Sequence, residues 1–329
     1  MSCTIEKDDI TWNAIVDDVT RRQLGIGAAT AGIAAFLASC SSSQTSDDAD
    51  IRETRTVTTP DGTFEIPATP TRVIAIDSRL DLEPAVALEL PIVGYTYAPA
   101  TPWVPVDSAA PFLDGAPNLE RLLSLAPDLI ICSTGYAESL PLAELSTIAP
   151  VLTTDFTLDW RANLDRLAGW LGRTATLDKL ILDYDSLIDD IRTRHRAKIE
   201  STKVASISYL PDTSMLYITS IRTSLKGDKP SHMSLFDIGG TSLTVPGIDG
   251  QGGFTAENID LLTECDGFMV TEEPDSGAYR ALSENPLWQR LPAVQAGHIT
   301  TLGGSTYYGS LYTNAYVARG WEALYTKMS

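Results

Sequence analysis

Cysteine is almost missing from this 329-residue chain: there are 4, and beyond Cys40 only Cys132 and Cys265 remain. That excludes a disulfide-stapled scaffold and a thiolate-built metal cluster, and the last two read as small buried residues. Histidine is scarcer, with 3 residues, His195, His232 and His298, scattered along the sequence. A zinc or manganese shell of clustered imidazoles is therefore excluded. Basic residues are in deficit, 24 Lys and Arg against 43 Asp and Glu, and the net charge of −19 argues against nucleic acid as a partner. The most apolar run, Leu24–Leu37, is shorter than the roughly 20 residues a membrane-spanning helix needs. Catalytic motifs are missing too. Gly303-Gly304-Ser305-Thr306-Tyr307 does not match the serine elbow of a secreted hydrolase, and neither HExxH nor a Walker loop occurs. Gly25-Ile26-Gly27-Ala28-Ala29-Thr30 mimics a dinucleotide fingerprint, but no strand precedes it and the third glycine is lacking. The chain reads as a non-enzyme.

What is present is one unit carried twice. Asn118–Ile131 (NLERLLSLAPDLII) returns in outline as Glu257–Val270 (ENIDLLTECDGFMV), one residue longer between its acid and its Asp. In each copy an acidic residue opens a short leucine-rich helix, Asp turns the chain, and an apolar run follows that reads as a parallel strand buried on both faces. The fold class this predicts is α/β, with two Rossmann-like lobes and a ligand cleft between them at the strand carboxyl ends.

The first 39 residues read as a signal segment. Thr20-Arg21-Arg22-Gln23-Leu24 is a twin-arginine start, the apolar run follows, and Leu37-Ala38-Ser39-Cys40 closes it. That closing sequence resembles a lipoprotein cleavage box in which Cys40 takes the lipid. Residues 40–53, rich in Ser and Asp, read as a lipid-anchored tether. The expected organisation is then a first lobe at 54–172, a bridging helix at 173–200 and a second lobe at 201–329.

Along the first lobe, Thr54–Pro67 alternates around Asp61-Gly62 and predicts a hairpin. A strand at Arg72–Asp77, a helix at Asp81–Leu90, a strand at Ile92–Thr96 and a long aromatic loop at Tyr97–Pro117 follow. Between Thr174 and Lys198 there is no Gly or Pro, and Leu177, Leu180, Ile181, Tyr184, Leu187, Ile188 and Ile191 recur at three- and four-residue steps. This predicts one uninterrupted amphipathic helix, a rigid connector that limits hinge motion. The second lobe is expected to hold strands at Val204–Tyr209, Leu216–Thr219 and His298–Leu302 and a closing helix at Tyr312–Met328.

From Thr71 onward the chain resembles the class III substrate-binding lipoproteins of ABC importers, the iron-siderophore and cobalamin type. The resemblance is carried by Arg72–Asp77, Asn118-Leu119-Glu120-Arg121 with Ala126–Ile130, Ile148–Val151, Asn285-Pro286-Leu287-Trp288 and Leu291-Pro292-Ala293-Val294. It implies a monomer lipid-anchored to the outer face of the cytoplasmic membrane. Such a protein captures a ferric siderophore or related iron chelate and delivers it to an ABC permease with a cytoplasmic ATPase. Haem or cobalamin is the alternative ligand. No intrinsic cofactor is implied, and ferric iron enters only as part of a chelate. Glu120 and Glu257 match the family's paired acids that dock on permease arginines; capping of a helix start is their other reading.

Candidates to hold the ligand are side chains on loops after strand ends: Arg79, Tyr95, Tyr97, Trp103, Tyr136 and Trp160 in the first lobe, and Tyr209, Arg222, His232, Tyr307 and Tyr308 in the second. Aromatic rings make flat walls and Arg offers a planar fork to carboxylate or phenolate oxygens, which suits an anionic chelate. His232, Tyr307 and Tyr308 also carry donor atoms that ferric iron accepts.

Overall fold

The computed structural model describes residues 53–134, 142–221, 229–248, 252–273 and 275–329. The expected signal segment, Cys40, the tether up to residue 52, Tyr136 and Arg222 lie outside the described residues. The hairpin forms as its alternation predicts: β1 (Thr54–Thr59) pairs antiparallel with β2 (Gly62–Pro67) and sets Thr59 against Gly62. Val57 and Ile66 turn inward.

The first lobe is a four-stranded parallel sheet in the order β4-β3-β5-β6, with β3 at Val73–Ala75, β4 at Ile92–Tyr95, β5 at Leu129–Thr134 and β6 at Val151–Asp155. Each residue of β3 is fully buried, as an all-apolar strand covered on both faces requires. The helix expected at Asp81–Leu90 is different in detail. A π-helical turn at Ser78–Leu82 comes first, because the Asp77 side chain caps it by accepting the Arg79 N–H; α1 (Glu83–Ala87) then follows with Pro84 in its first turn. The first near-repeat gives α2 (Leu119–Ser124), capped by Asn118, and α3 (Leu142–Leu145) and α4 (Trp160–Leu171) complete the lobe.

The connector α5 runs from Thr174 to Ser201, 28 residues, about 42 Å at 1.5 Å per residue. Its stripe of Leu177, Leu180, Tyr184, Ile188 and Ile191 is buried, each contributing about 1.5–3 kcal/mol by leaving water. The expectation of an uninterrupted helix is corrected at one place. His195 leaves helical geometry (φ −112°, ψ 15°), where its buried ring lies against Tyr325 of the second lobe.

The second lobe is a mixed sheet ordered β10-β8-β7-β11-β12. Its centre is parallel: β7 (Lys203–Leu210), β11 (Gly267–Glu272) and β12 (Ile299–Gly303). The strands β8 (Met215–Ile218) and β10 (Gly253–Thr255) join antiparallel, and β9 (Thr241–Ser242) pairs with the start of β7. Helices α6 (Pro230–Asp237), α7 (Ala278–Ser283), α8 (Pro292–Gln295) and α9 (Leu311–Lys327) surround it. The second near-repeat does not reproduce the first: Ala256–Leu262 is a 3-10 helix broken at Asn258, against the α-helix of the first copy. Cys132 and Cys265 are free and buried in separate lobes, and burial pushes the Cys265 thiol up to about 12.

One apolar cluster runs from the hairpin (Val57, Ile66) through α1 (Ala85, Leu88) and the α5 stripe to α9 (Val317, Trp321, Leu324) and Val204 of β7. The lobes therefore share a core as well as a connector.

Candidate ligand-binding cleft

In the first sheet, β3 has β4 on one side and β5 on the other, so the chain reverses its direction of winding there and a crevice opens beyond the carboxyl end of β3. Asp77 and Arg79 stand at that point. The Arg79 backbone N–H donates to Asp77 Oδ1 at 2.8 Å; its guanidinium then folds back, Nε to Oδ1 at 3.1 Å and Nη2 to Oδ2 at 2.8 Å. A two-pronged ion pair of this kind fixes the plane of the guanidinium. Beneath it, buried Asp81 accepts the Asp77 N–H at 2.8 Å and the Thr154 hydroxyl at 3.2 Å. Burial and the neighbouring Asp77 charge push the Asp81 carboxyl well above the usual range.

The loop after β4 supplies Tyr97, whose backbone lies in the left-handed region at φ 82° and donates its N–H to Gly115 O at 2.8 Å. A bulky side chain in that conformation costs of order 1–3 kcal/mol and persists where surroundings enforce it. Here it aims the ring at Arg79, whose guanidinium carbon lies 3.5 Å from the ring centroid. From the second lobe, Tyr308 places its own ring 4.7 Å from the same carbon. The guanidinium is thus held by rings from both lobes.

The cluster continues through neighbours. Phe156, directly after β6, tilts against Tyr308 at 5.6 Å, and Tyr307 meets Tyr308 edge-on at 4.6 Å. Buried Lys229, at the start of α6, sets its ammonium 4.1 Å from the Tyr307 ring centroid. A cavity of about 210 Å³ opens beside Tyr307 and is lined by Ser208, Thr219, Ser231, Thr271, Glu272 and Glu273. A larger groove, about 600 Å³, lies between the hairpin and the start of β6, lined by Phe64, Leu142 and Val151. It is away from the strand carboxyl ends, where the smaller cavity and the aromatic cluster lie.

Of the residues expected from sequence, the structure brings together Arg79, Tyr97, Tyr307 and Tyr308. Among the other expected residues, those described lie elsewhere, and Tyr136 and Arg222 fall outside the described residues. Tyr95 is buried, tilts against Phe112 at 5.7 Å and accepts the Ala100 N–H on its hydroxyl. Trp103 stacks on Tyr316 at 4.2 Å, in the seam between the lobes. Trp160, at the start of α4, packs edge-on to Tyr184 of the connector at 5.2 Å, and Tyr209 is buried in the second-lobe core. His232, in the first turn of α6, is half-buried, pairs its Nδ1 with Ser220 O at 2.9 Å and lies against Phe236. Sequence reasoning missed Phe156 and Lys229. The rule that selects residues after strand ends would have found Phe156; nothing in the sequence brings Lys229 to Tyr307.

Among the described residues no group of three or more His, Cys, Asp or Glu side chains is placed to hold a metal ion. Flat rings, a planar cation and an ammonium suit a ligand with flat faces and negative charge.

The sequence profile of the periplasmic binding protein family matches residues 78–226. Over that stretch, just under half of its length, the chain is similar to the periplasmic binding protein family. Its matched stretch starts beside Arg79 and runs through the connector into the second lobe, and the family is one of binding proteins, not enzymes. The chain is 24% identical over 186 residues to an iron-uptake system-binding protein of Bacillus subtilis, covering 56% of this chain and 57% of that relative. It is 26% identical over 206 residues to an achromobactin-binding periplasmic protein of Dickeya dadantii, covering 59% and 64% respectively. The match thus spans less than two thirds of the length of these relatives. In three dimensions the chain is similar to the triscatecholate siderophore-binding protein of Bacillus subtilis complexed with ferri-bacillibactin. The TM-score is 0.65 at 21% identity over 84% of this chain and 100% of that one, which establishes the two-lobed fold.

Proposed function

We propose that this protein is the substrate-binding component of an ABC importer, capturing a ferric siderophore outside the membrane and passing it to a permease. The observation that carries this reading is the Arg79 guanidinium held between Tyr97 of one lobe and Tyr308 of the other at the strand carboxyl ends. A planar cation faced by rings suits the delocalised negative charge of a ferric catecholate, carboxylate or hydroxamate complex. The names of the iron-uptake and achromobactin-binding relatives support the same ligand class.

The reading extends to location. Twin-arginine export, cleavage before Cys40 and lipidation of that cysteine put the protein on the outer face of the cytoplasmic membrane, with 54–172 and 201–329 as the lobes and 173–200 as the connector. Glu120 and Glu257, exposed near the starts of the two repeated helices, are the acids offered to permease arginines. The working form is a monomer.

Protein produced under iron limitation, followed by titration with ferric chelates while tyrosine and tryptophan emission is read, tests the ligand class. Quenching by a ferric siderophore at submicromolar concentration supports the proposal. Binding of haem or cobalamin alone would replace it. Metabolic lipid labelling of the wild type and Cys40→Ala tests the anchor, and label retained in the variant would end that part.

A further inference from the structure

We propose that Glu83 and Trp103 of the first lobe are positioning residues that grip both ends of the second-lobe loop carrying Tyr307 and Tyr308. The consequence for ligand rests on the cleft reading above; the grip itself does not.

The loop leaves β12 at Gly303 and enters α9 at Leu311. At its far end, Glu83 is buried and its carboxylate accepts the Thr313 N–H at 2.8 Å and the Thr313 hydroxyl at 2.7 Å. Backbone N–H groups of Ser310 and Tyr312 reach the same carboxylate. A residue of one lobe thereby satisfies the open amides that begin a 17-residue helix of the other, where the helix dipole favours negative charge. The Thr313 hydroxyl, donating to Glu83, accepts the Trp103 indole N–H at 2.7 Å. Trp103 to Thr313 to Glu83 is a directed relay in which each polar atom has a fixed role.

At the near end the contact is steric. Trp103 lies stacked on Tyr316, 4.2 Å between centroids and 16° between planes, and the Tyr316 hydroxyl donates to Gly303 O at 3.0 Å. Gly304, at φ 98°, is pressed against the same indole: a Cβ there would lie 2.6 Å from the ring. Gly309, at the far end, faces Thr313 so closely that a Cβ would overlap its side chain. The two glycines bracket Tyr307 and Tyr308, and each faces a member of the relay. The position of both tyrosines over Arg79 and Lys229 is therefore set from the opposite lobe.

Hydrogen exchange of residues 304–313 in Glu83→Ala, Glu83→Gln and Trp103→Phe tests the grip without any ligand. Glu83→Ala is expected to raise exchange of these amides by about tenfold or more, as a local opening does, with β7 and β11 unchanged. Glu83→Gln, which keeps an acceptor for the amide but offers an NH2 donor in place of the oxygen that accepts the hydroxyl, is expected to restore part of the protection. Trp103→Phe, which keeps the ring and loses the N–H, is expected to fall between. Titration with ferric desferrioxamine and a ferric tris-catecholate is expected to show weakened binding in the same order. Unchanged exchange of the loop in Glu83→Ala, or an equal rise in β7 and β11, would overturn the proposal. Should Glu83→Ala fail to fold, Thr313→Val breaks the relay while keeping the capped amide and is read the same way. A wild type that binds neither chelate removes the siderophore reading, and the exchange result still decides the grip.

Discussion

Arg79 and Tyr308, 229 positions apart in sequence, meet across the cleft with the guanidinium carbon 4.7 Å from the ring centroid, while Asp77 holds the other side of the same group. A guanidinium so placed is paired with a carboxylate and fixed in plane. It therefore recognises shape and delocalised charge more than net charge alone.

Replacing Arg79 by Lys keeps the charge but loses the fork to Asp77 and the planar face between Tyr97 and Tyr308. Affinity for a ferric chelate is expected to fall by about tenfold, and further in Arg79→Ala, where the melting temperature also falls because the buried Asp77 carboxylate loses its partner. Fluorescence titration measures it. Equal affinity in Arg79→Lys would show that charge alone is read.

Tyr308 is enclosed by Arg79, Phe156 and Tyr307, an environment that uses its ring. Tyr308→Phe and Tyr307→Phe are expected to leave the visible charge-transfer band of a bound ferric chelate in place and affinity within about threefold, whereas leucine at either site weakens binding more. His232→Ala completes the set. A shifted band in any of the three would assign direct iron ligation to that side chain.

Glu120 and Glu257 are both exposed, in the first turns of their helices. Their replacement by alanine is expected to leave chelate binding within about twofold, since exposed changes of this kind move stability by under about 0.5 kcal/mol, and to reduce uptake. Binding by the purified protein and transport by cells must be measured separately. Loss of binding with normal folding would return these acids to the ligand site.

His195 is buried at the break in the connector with its Nε2 unpartnered, and burial, then the nearby Arg194 charge, lowers its pKa from the ordinary 6.5. Below that ordinary value the unfolded chain takes up a proton that the folded one refuses. Stability is therefore expected to decline as pH falls from 6.5 toward the lowered folded value, and to level off beneath it. His195→Phe should flatten that part of the curve in denaturant titrations between pH 7 and pH 5. An unchanged slope would show that the ring titrates no differently in the two states.

Apolar runs at Val73–Ala75, Leu129–Thr134 and Gly267–Glu272 became buried parallel strands because a strand covered on both faces has no polar side to show, and that is written in the residues themselves. The connector was equally legible, since three- and four-residue spacing of Leu177, Leu180, Tyr184 and Ile188 permits only one face to be buried. The sequence alone thus determined two α/β lobes, one long helix and the strand ends beyond which a ligand could lie. It could not announce the break at His195, which follows from a ring seated against Tyr325 and not from any local breaker. Nor could it separate Tyr308, which reaches Arg79, from Trp160 and Tyr209, which fill cores after equally suitable strand ends and helix starts. Only the tertiary structure decided that Tyr97, Tyr308 and Lys229 share a cleft and that Glu83 caps a helix of the other lobe. The physical reason is that such contacts join residues whose local propensities are independent, and they exist only once the shared core has fixed one lobe against the other.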